Sequence, residues 1–503
     1  MSKRISTLPH LLPPRGAGES VARWLADGLR ASILEGRLRP GARLPATRDL
    51  AREYGVARGT AVAVFDELAA QGYLRSVVGS GTFVNDTLPV DLSPSARNAA
   101  APPPAGASGA TAARSPFARR ANSFGALTPG PARAFRTDLP ALDLFPTTLW
   151  AQVAGRRLRR ATANDLRGCE ALGYPPLRAA VADYLRTARG VRCDAAQIAI
   201  VSGAQEALDL VARLLLSPGG NVCMEDPGYI GATRVFEAWG ARLTPVSVDG
   251  EGMRIPAPRT RAALAYVTPA HQFPLGVAMS LPRRLALLEW ARAERAWIFE
   301  DDYDSEFRFA GRPLPALQGL DAHGVVLFSG SFSKVLFPSL RLGYLVLPPA
   351  LVDTFAAGLS IVTRHAPVLS QAVLADFLRD GHFGRHIRRM REIYAERWTV
   401  LRESARSELA GLLEVSPIEA GLQTPAFLAA GIDDLAAARA AAERGVETTP
   451  LSRYARRPLR RGGLQLGFAP VEPREIRRGV RELARALEPL TRGAGAAPPA
   501  GRG

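Results

Sequence analysis

The sequence predicts two unlike domains: an all-α unit ending in a short hairpin at the N-terminus, and a large α/β unit with a mixed, mostly parallel sheet. Three features point to this. At 503 residues the chain exceeds what one hydrophobic core supports, so two or three domains are expected. A seam from Ser93 to Pro116 is written only in Ala, Pro, Ser, Gly, Thr, Arg and Asn, with no large apolar side chain to bury, and reads as a tether. Beyond it, short apolar runs at Ile198–Val201, Ala263–Val267, Ala296–Phe299 and Val325–Phe328 read as strands. Amphipathic stretches such as Gln205–Leu216 and Pro282–Glu294 separate several of them, the pattern of a sheet covered on both faces. The boundaries expected are 1–85 for the first unit, 86–122 for the tether, 123–490 for the α/β unit and 491–503 for a tail.

Composition narrows the classes. Hydrophobic content of 47% with 22% charged residues is ordinary for globular protein. No apolar run reaches membrane-spanning length, and residues 1–16 carry basic residues and prolines without an apolar stretch. No secretory signal and a cytoplasmic location are expected. Cys169, Cys193 and Cys223 have neither metal-ligand spacing nor a disulfide framework, so no metal is expected. Net charge is +17, and residues 1–85 hold 12 basic against 7 acidic residues, the highest net charge per residue of the segments. That suits a segment meeting phosphates, although an arginine-rich composition gives the same excess without nucleic acid.

In the first unit, Val21, Trp24, Leu25, Leu29 and Ile33 fall on one face of a helix over Ser20–Leu34. Pro40-Gly41-Ala42-Arg43-Leu44-Pro45 makes a turn. Thr47–Tyr54 reads as a short helix, Gly55-Val56-Ala57 as a tight bend, and Arg58–Gln71 as a second helix with Val62, Phe65, Leu68 and Ala69 inward. This is helix-turn-helix spacing. Two short strands follow around the glycine tip Gly79-Ser80-Gly81. The leading helix, the Pro-Gly-x-Arg-Leu-Pro turn and the terminal wing together resemble the winged helix-turn-helix of the GntR regulator family. The resemblance implies that Arg48 and Arg58 reach phosphates or base edges of double-stranded DNA, with Gly59 and Thr60 opening the recognition helix. It also implies a backbone contact from Arg43 and a wing, Gly79 to Gly81, along the minor groove. Solvated surface arginines are the alternative.

The large unit has one lysine. Only Lys3 and Lys334 are lysine among 64 Lys plus Arg, so arginine serves wherever a positive charge suffices. An amine, unlike guanidinium, can lose its proton and attack a carbonyl. Alone, Lys334 is as readily a surface residue; its surroundings decide. Ser331 and Ser333 flank it and Arg341 follows, adding phosphate donors beside the amine. Ser202-Gly203-Ala204-Gln205-Glu206-Ala207 follows a strand and opens a helix, where free N–H groups can meet a phosphate. Glu300-Asp301-Asp302-Tyr303 follows the strand Ala296–Phe299; a carboxylate there can hold a pyridinium nitrogen and Tyr303 a ring hydroxyl. Without the lysine that run would read as a solvated turn. Glu225-Asp226-Pro227-Gly228-Tyr229 offers an aromatic face, and Thr268 to Gly276 brings His271 and Gln272 to a third edge.

In this order the motifs resemble the fold-type-I aminotransferases, over about Leu139 to Leu487. The resemblance implies pyridoxal 5′-phosphate (PLP) covalently held on Lys334, Asp301 on its ring nitrogen, Tyr229 stacked on the ring, and His271 or Gln272 at the ring hydroxyl. With the winged unit attached, the whole chain resembles the MocR subfamily of GntR regulators. Two positions depart from the aminotransferase pattern. Gln465, in Leu464-Gln465-Leu466-Gly467-Phe468-Ala469, occupies the slot of the arginine that clamps a substrate carboxylate, and a neutral amide makes no bidentate ion pair. Gly168 stands where relatives carry a tyrosine reaching the partner subunit's phosphate. Arg364 and Arg453 are possible substitutes for the clamp. The implied function is a homodimeric, PLP-dependent transcription regulator on paired half-sites, with PLP itself or a small amine effector altering DNA binding. The other reading is a working aminotransferase with an accessory DNA-binding domain; the Lys334–Asp301 pair favours it and Gln465 opposes it.

Overall fold

The computed structural model describes residues 12–16, 18–87, 114–124, 130–311 and 315–494. Lys3, most of the Ser93–Pro116 seam and the tail beyond 494 lie outside them. The chain divides into two compact units, 1–112 and 113–503.

In the first unit, α1 (Val21–Leu34), α2 (Thr47–Glu53) and α3 (Arg58–Ala70) precede a hairpin of β1 (Leu74–Val77) and β2 (Gly81–Val84). Leu25, Leu29, Ile33, Leu50, Val64, Phe65 and Leu68 are buried together, each such side chain stabilising by about 1.5–3 kcal/mol. The inward face of α3 differs from expectation by one position. Val62 is 37% exposed, while Ala61, Val64, Phe65 and Leu68 face the core and Ala69 is half-buried. The expected residues 62, 65, 68 and 69 also share one side of a helix; the buried stripe, 61, 64, 65 and 68, keeps Phe65 and Leu68 and is turned toward Ala61 and Val64. Trp24 sits at the edge of the α1 face, its Nε1 donating to the Pro13 carbonyl at 2.8 Å and its ring meeting Tyr54 edge-on.

The second unit holds an eight-stranded sheet: β3 (Ile198–Val201), β4 (Asn221–Asp226), β5 (Arg242–Asp249), β6 (Gly252–Met253), β7 (Ala262–Val267), β8 (Trp297–Asp302), β9 (Val326–Ser331) and β10 (Gly343–Val346). Its order is β3-β10-β9-β8-β7-β4-β5-β6. The run β9-β8-β7-β4-β5 is parallel throughout, β10 is antiparallel to both its neighbours, and β6 is antiparallel to β5. Side chains alternate between the faces. Leu264, Tyr266 and Phe299 pack with the helices Ala204–Leu215 and Ile230–Trp239; Ala265, Val267 and Ile298 pack with Leu281–Glu294. A second sheet, order β11-β12-β14-β13, is antiparallel: β11 (Leu413–Val415), β12 (Gln423–Leu428), β13 (Thr449–Pro450) and β14 (Gly463–Gly467).

Two boundaries shift. β8 runs on through Glu300, Asp301 and Asp302, so the acidic run lies within the strand rather than after it. And 116–121, assigned to the tether by sequence, is a helix, Pro116–Ala121, fastened to the large unit: Phe117 packs on Trp239 (ring centroids 5.0 Å) and Arg120 Nη1 donates to the Ala238 carbonyl at 3.2 Å. Among the described residues no helix is long and apolar enough to cross a membrane.

Candidate cofactor site and nucleic-acid interface

The ends of β8 and β9 and the turn after β3 converge on a cleft that is partly open to solvent. Nine of the ten residues assigned to a cofactor by sequence line it: Ala204, Gln205, Tyr229, Asp301, Tyr303, Ser331, Ser333, Lys334 and Arg341. The period-2 alternation of β8 sorts its three carboxylates. Asp301 enters the cleft. Glu300 accepts the backbone N–H groups of Leu317 and Gln318, both at 2.8 Å, and Asp302 pairs with Arg189 at 2.7 Å. Burial pushes the Asp301 carboxyl up to about 6, although the Tyr266 hydroxyl, donating at 2.7 Å, and the Lys334 charge pull the other way. A carboxylate held by one donor in a water-poor site is a strong partner for a protonated ring nitrogen.

The opposite end of the cleft has the chemistry for a phosphate. The helix Ala204–Leu215 begins there, leaving first-turn N–H groups without helical partners and a positive dipole end. Gly203, at φ +110, turns the chain into it, and a Cβ at that position would lie 3.8 Å from Arg341 Nη1. Arg341 is itself left-handed, at φ +49, a conformation that costs an arginine about 1–3 kcal/mol and concentrates at ligand sites. The Ser333 hydroxyl is buried without a hydrogen-bond partner among the described residues, and burying it so is costly unless a ligand completes it. Gln205 Nε2 holds the Tyr229 hydroxyl at 3.0 Å, setting that ring against the cleft. This donor set fits a planar group with a phosphate at one end, a basic ring nitrogen at the other, and an aldehyde toward Lys334 Nζ.

His271 is placed behind this lining. It is buried, its Nδ1 within 3.0 Å of Asp304 Oδ1 and 3.1 Å of the Tyr303 hydroxyl. Gln272 fastens the Glu225–Pro227 turn, its Nε2 donating to Glu225 Oε2 at 3.1 Å and the Pro227 carbonyl at 2.9 Å. Gln465 is buried in β14, opposite Pro425 and Thr449; it does not line the cleft, and its Oε1 has no partner among the described residues. Arg364 and Arg453 each line a different cavity. Gly168 stands at φ +127 with a prospective Cβ 2.9 Å from His365 Nε2, so a larger residue there would strain the backbone and displace the His365 ring.

Sequence reading missed Asp138. Its carboxylate pairs with Lys334 Nζ, and its backbone is left-handed at φ +69. Burial alone would depress the lysine amine, but the Asp138 charge holds it above the ordinary lysine value. An acid in a loop 196 residues away carries no local signal; only the fold brings it to the amine.

In the first unit, Arg48 is exposed (74% for the side chain), Arg58 and Gly59 are exposed at the start of α3, and Thr60 is half-buried. A Cβ at Gly59 would meet nothing within 4 Å, so the backbone there stands open to a close approach. Arg43 bridges to Phe83 and packs over Gly81, whose prospective Cβ would lie 3.0 Å from its Nε. Gly79 and Gly81 bound a wing tip at which Val78 is fully exposed.

Known proteins resemble this chain along both units. Residues 22–84 match the gntR family of bacterial regulatory proteins, and residues 147–483 match aminotransferase class I and II. The chain belongs to the MocR subfamily, GntR-type transcription regulators in which a winged helix-turn-helix precedes an aminotransferase-like domain. It is 42% identical to the probable rhizopine catabolism regulatory protein MocR of Rhizobium meliloti, over 95% of this chain and 96% of that one. It is 30% identical to the pyridoxine biosynthesis regulator PdxR of Corynebacterium glutamicum, over 96% and 99%. Among solved structures, the α-aminoadipate aminotransferase LysN of Thermus thermophilus, complexed with N-(5′-phosphopyridoxyl)-L-leucine, superposes with TM-score 0.65 at 30% identity, over 71% of this chain and 92% of that chain.

Proposed function

We propose that this chain regulates transcription through PLP bound at Lys334, alone or together with a small amine, the bound state of the large unit setting how two copies engage an operator. The observation that carries the reading is the cleft: one amine, one buried carboxylate and one phosphate cradle face a common space, in a chain whose residues 22–84 match a DNA-binding regulator family. When bound, the cofactor supplies an electrophilic aldehyde carbon for which primary amines compete. The chain's own residues do the rest. Ala204, Gln205, Ser331, Ser333 and Arg341 would hold the phosphate; Tyr229 would cover the ring; Asp301 would keep the ring nitrogen protonated; and Tyr303, braced by His271, would meet the ring hydroxyl. In the winged unit, Arg48 and Arg58 supply phosphate or base contacts, Gly59 and Thr60 let α3 approach the major groove, and Arg43 with the Gly79–Gly81 tip follows the backbone and minor groove.

The test uses full-length protein and a DNA site selected from a random pool. Its affinity is compared with and without PLP, and then with added amines. A change in affinity or in half-site spacing on PLP loading is expected. Identical DNA binding in both forms, with sustained conversion of amino acids to keto acids, would replace this reading with that of a working aminotransferase, which the Lys334–Asp301 pair would then serve.

A further inference from the structure

The Asp138–Lys334 pair is a built contact. At φ +69 Asp138 occupies a conformation that Asp, Asn and Gly adopt readily and most side chains avoid. Its N–H donates to Gln423 Oε1 at 3.1 Å, and Gln423 is 2% exposed. Gln423 opposes Gly467 and Pro425 opposes Gln465, so both glutamines lie on one face of the small sheet. Each keeps one buried polar atom unpartnered among the described residues, Nε2 of Gln423 and Oε1 of Gln465. The loop bearing Asp138 is thus fixed against that sheet, with its carboxylate on the amine.

Resting on the reading that Lys334 carries the cofactor, we infer that Asp138 is a positioning residue: it holds Lys334 as an ammonium whenever Nζ is not bonded to the cofactor, and so makes the site retain amines without processing them. A primary amine that takes the place of Lys334 arrives as R–NH3+. A bond from its nitrogen to the aldehyde carbon forms as the bond from that carbon to Nζ breaks. The incoming ammonium gives up a proton before it attacks; in all, two protons pass from the incoming nitrogen to Nζ, each nitrogen keeping one while it is bonded to the cofactor carbon, and no electron is gained or lost. The freed ammonium meets a carboxylate already in place. Transamination would next require a base to take the proton from the carbon bearing the ligand's nitrogen, and that base must be a neutral amine with a free lone pair. Salt-bridged to Asp138, Lys334 has none. The same negative charge opposes a ligand with a carboxylate one carbon from its attacking nitrogen and favours amines without one. The raised amine of Lys334 agrees with this, and Tyr229 and Asp304 bear on Nζ in the same direction.

The test compares full-length, PLP-loaded wild type with Asp138→Asn and Asp138→Gly, both of which accept the left-handed backbone. Two readouts are used: the pH titration of the cofactor's visible absorption, and single-turnover formation of pyridoxamine 5′-phosphate from ethanolamine or L-alanine. In the variants the titration midpoint is expected to fall by about one pH unit or more, the size of effect of an opposite charge in contact. Pyridoxamine 5′-phosphate is expected to form about tenfold faster or more, within the range of a restored general base. Unchanged midpoint and unchanged rate in both variants would overturn the inference, as would a wild type that already reacts at the variant rate. Borohydride reduction of the wild type separates this from the parent reading. No Lys334 adduct overturns both; a normal adduct with unchanged variants overturns only the role of Asp138.

Discussion

The arginines assigned to DNA at the helices of the winged unit stand in water, whereas the acid assigned to the cofactor in the aminotransferase-like unit is buried. The Arg48 side chain is 74% exposed; Asp301 is 5% exposed, and burial drives its carboxyl up to about 6. An exposed arginine costs the fold nothing and leaves no trace in the surrounding packing. Its value appears only when a phosphate displaces counterions around it. A buried acid is different: every one of its lone pairs must be answered, so its partners record its task. Functional assignment therefore rests on motif position in the first unit, and on hydrogen bonds, orphaned atoms and shifted acidity in the second.

Four substitutions break or sharpen this contrast. The largest effect is expected from Lys334→Ala: peptide mass mapping after borohydride reduction should find no cofactor adduct, while DNA affinity of the cofactor-free protein stays as in wild type. An adduct on another residue would remove the cleft from its role. Leu68→Ala empties a fully buried site in the winged core and should cost that unit about 2–5 kcal/mol, read as a lower first transition in thermal unfolding with cofactor loading intact. Loss of both transitions together would mean that the units do not unfold independently.

Asp301→Asn comes next, with PLP affinity expected to fall roughly 10- to 100-fold, since an amide cannot neutralise a ring cation. The pH dependence has a definite sign. Because burial raises Asp301 to about 6, the cofactor-free carboxyl is protonated below that value and must lose its proton to pair, so wild-type affinity should rise as pH increases through about 6. The Asn variant should lack that rise. Folding of the cofactor-free unit should show the opposite trend, its contribution from Asp301 fully present below the ordinary aspartate value and lost as pH climbs from there through about 6. The smallest effect is expected from Arg58→Ala, about 1–2 kcal/mol of DNA affinity with a salt slope shallower by about one, and no change in PLP binding. An unchanged salt slope would take Arg58 off the phosphates.

Much of this was legible in the sequence. Ile198–Val201 was read as a strand at its true limits, because four consecutive buried residues leave little freedom of interpretation. The cleft residues were legible because strand ends and helix starts are marked by short local patterns. What escaped was set by distant contacts. Nothing in Glu300-Asp301-Asp302 says that a strand continues through three acids; Tyr266, Arg189 and two backbone amides, each from another part of the fold, make that possible. Val62 was misplaced by one position along α3, since alanine at 61 is too small to advertise its burial. The helix 116–121 was hidden in tether-like composition and is defined by Trp239, far along the chain. Asp138 was invisible for the same reason.

The helix Ile230–Trp239 has one consequence of its own. Tyr229, at its first turn, forms a wall of the cleft, and Trp239, at its last, grips Phe117 just after the chain arrives from the winged unit. Ten residues of helix make a stiff rod about 15 Å long. That single element joins the cleft wall at Tyr229 to the Phe117 contact at its other end.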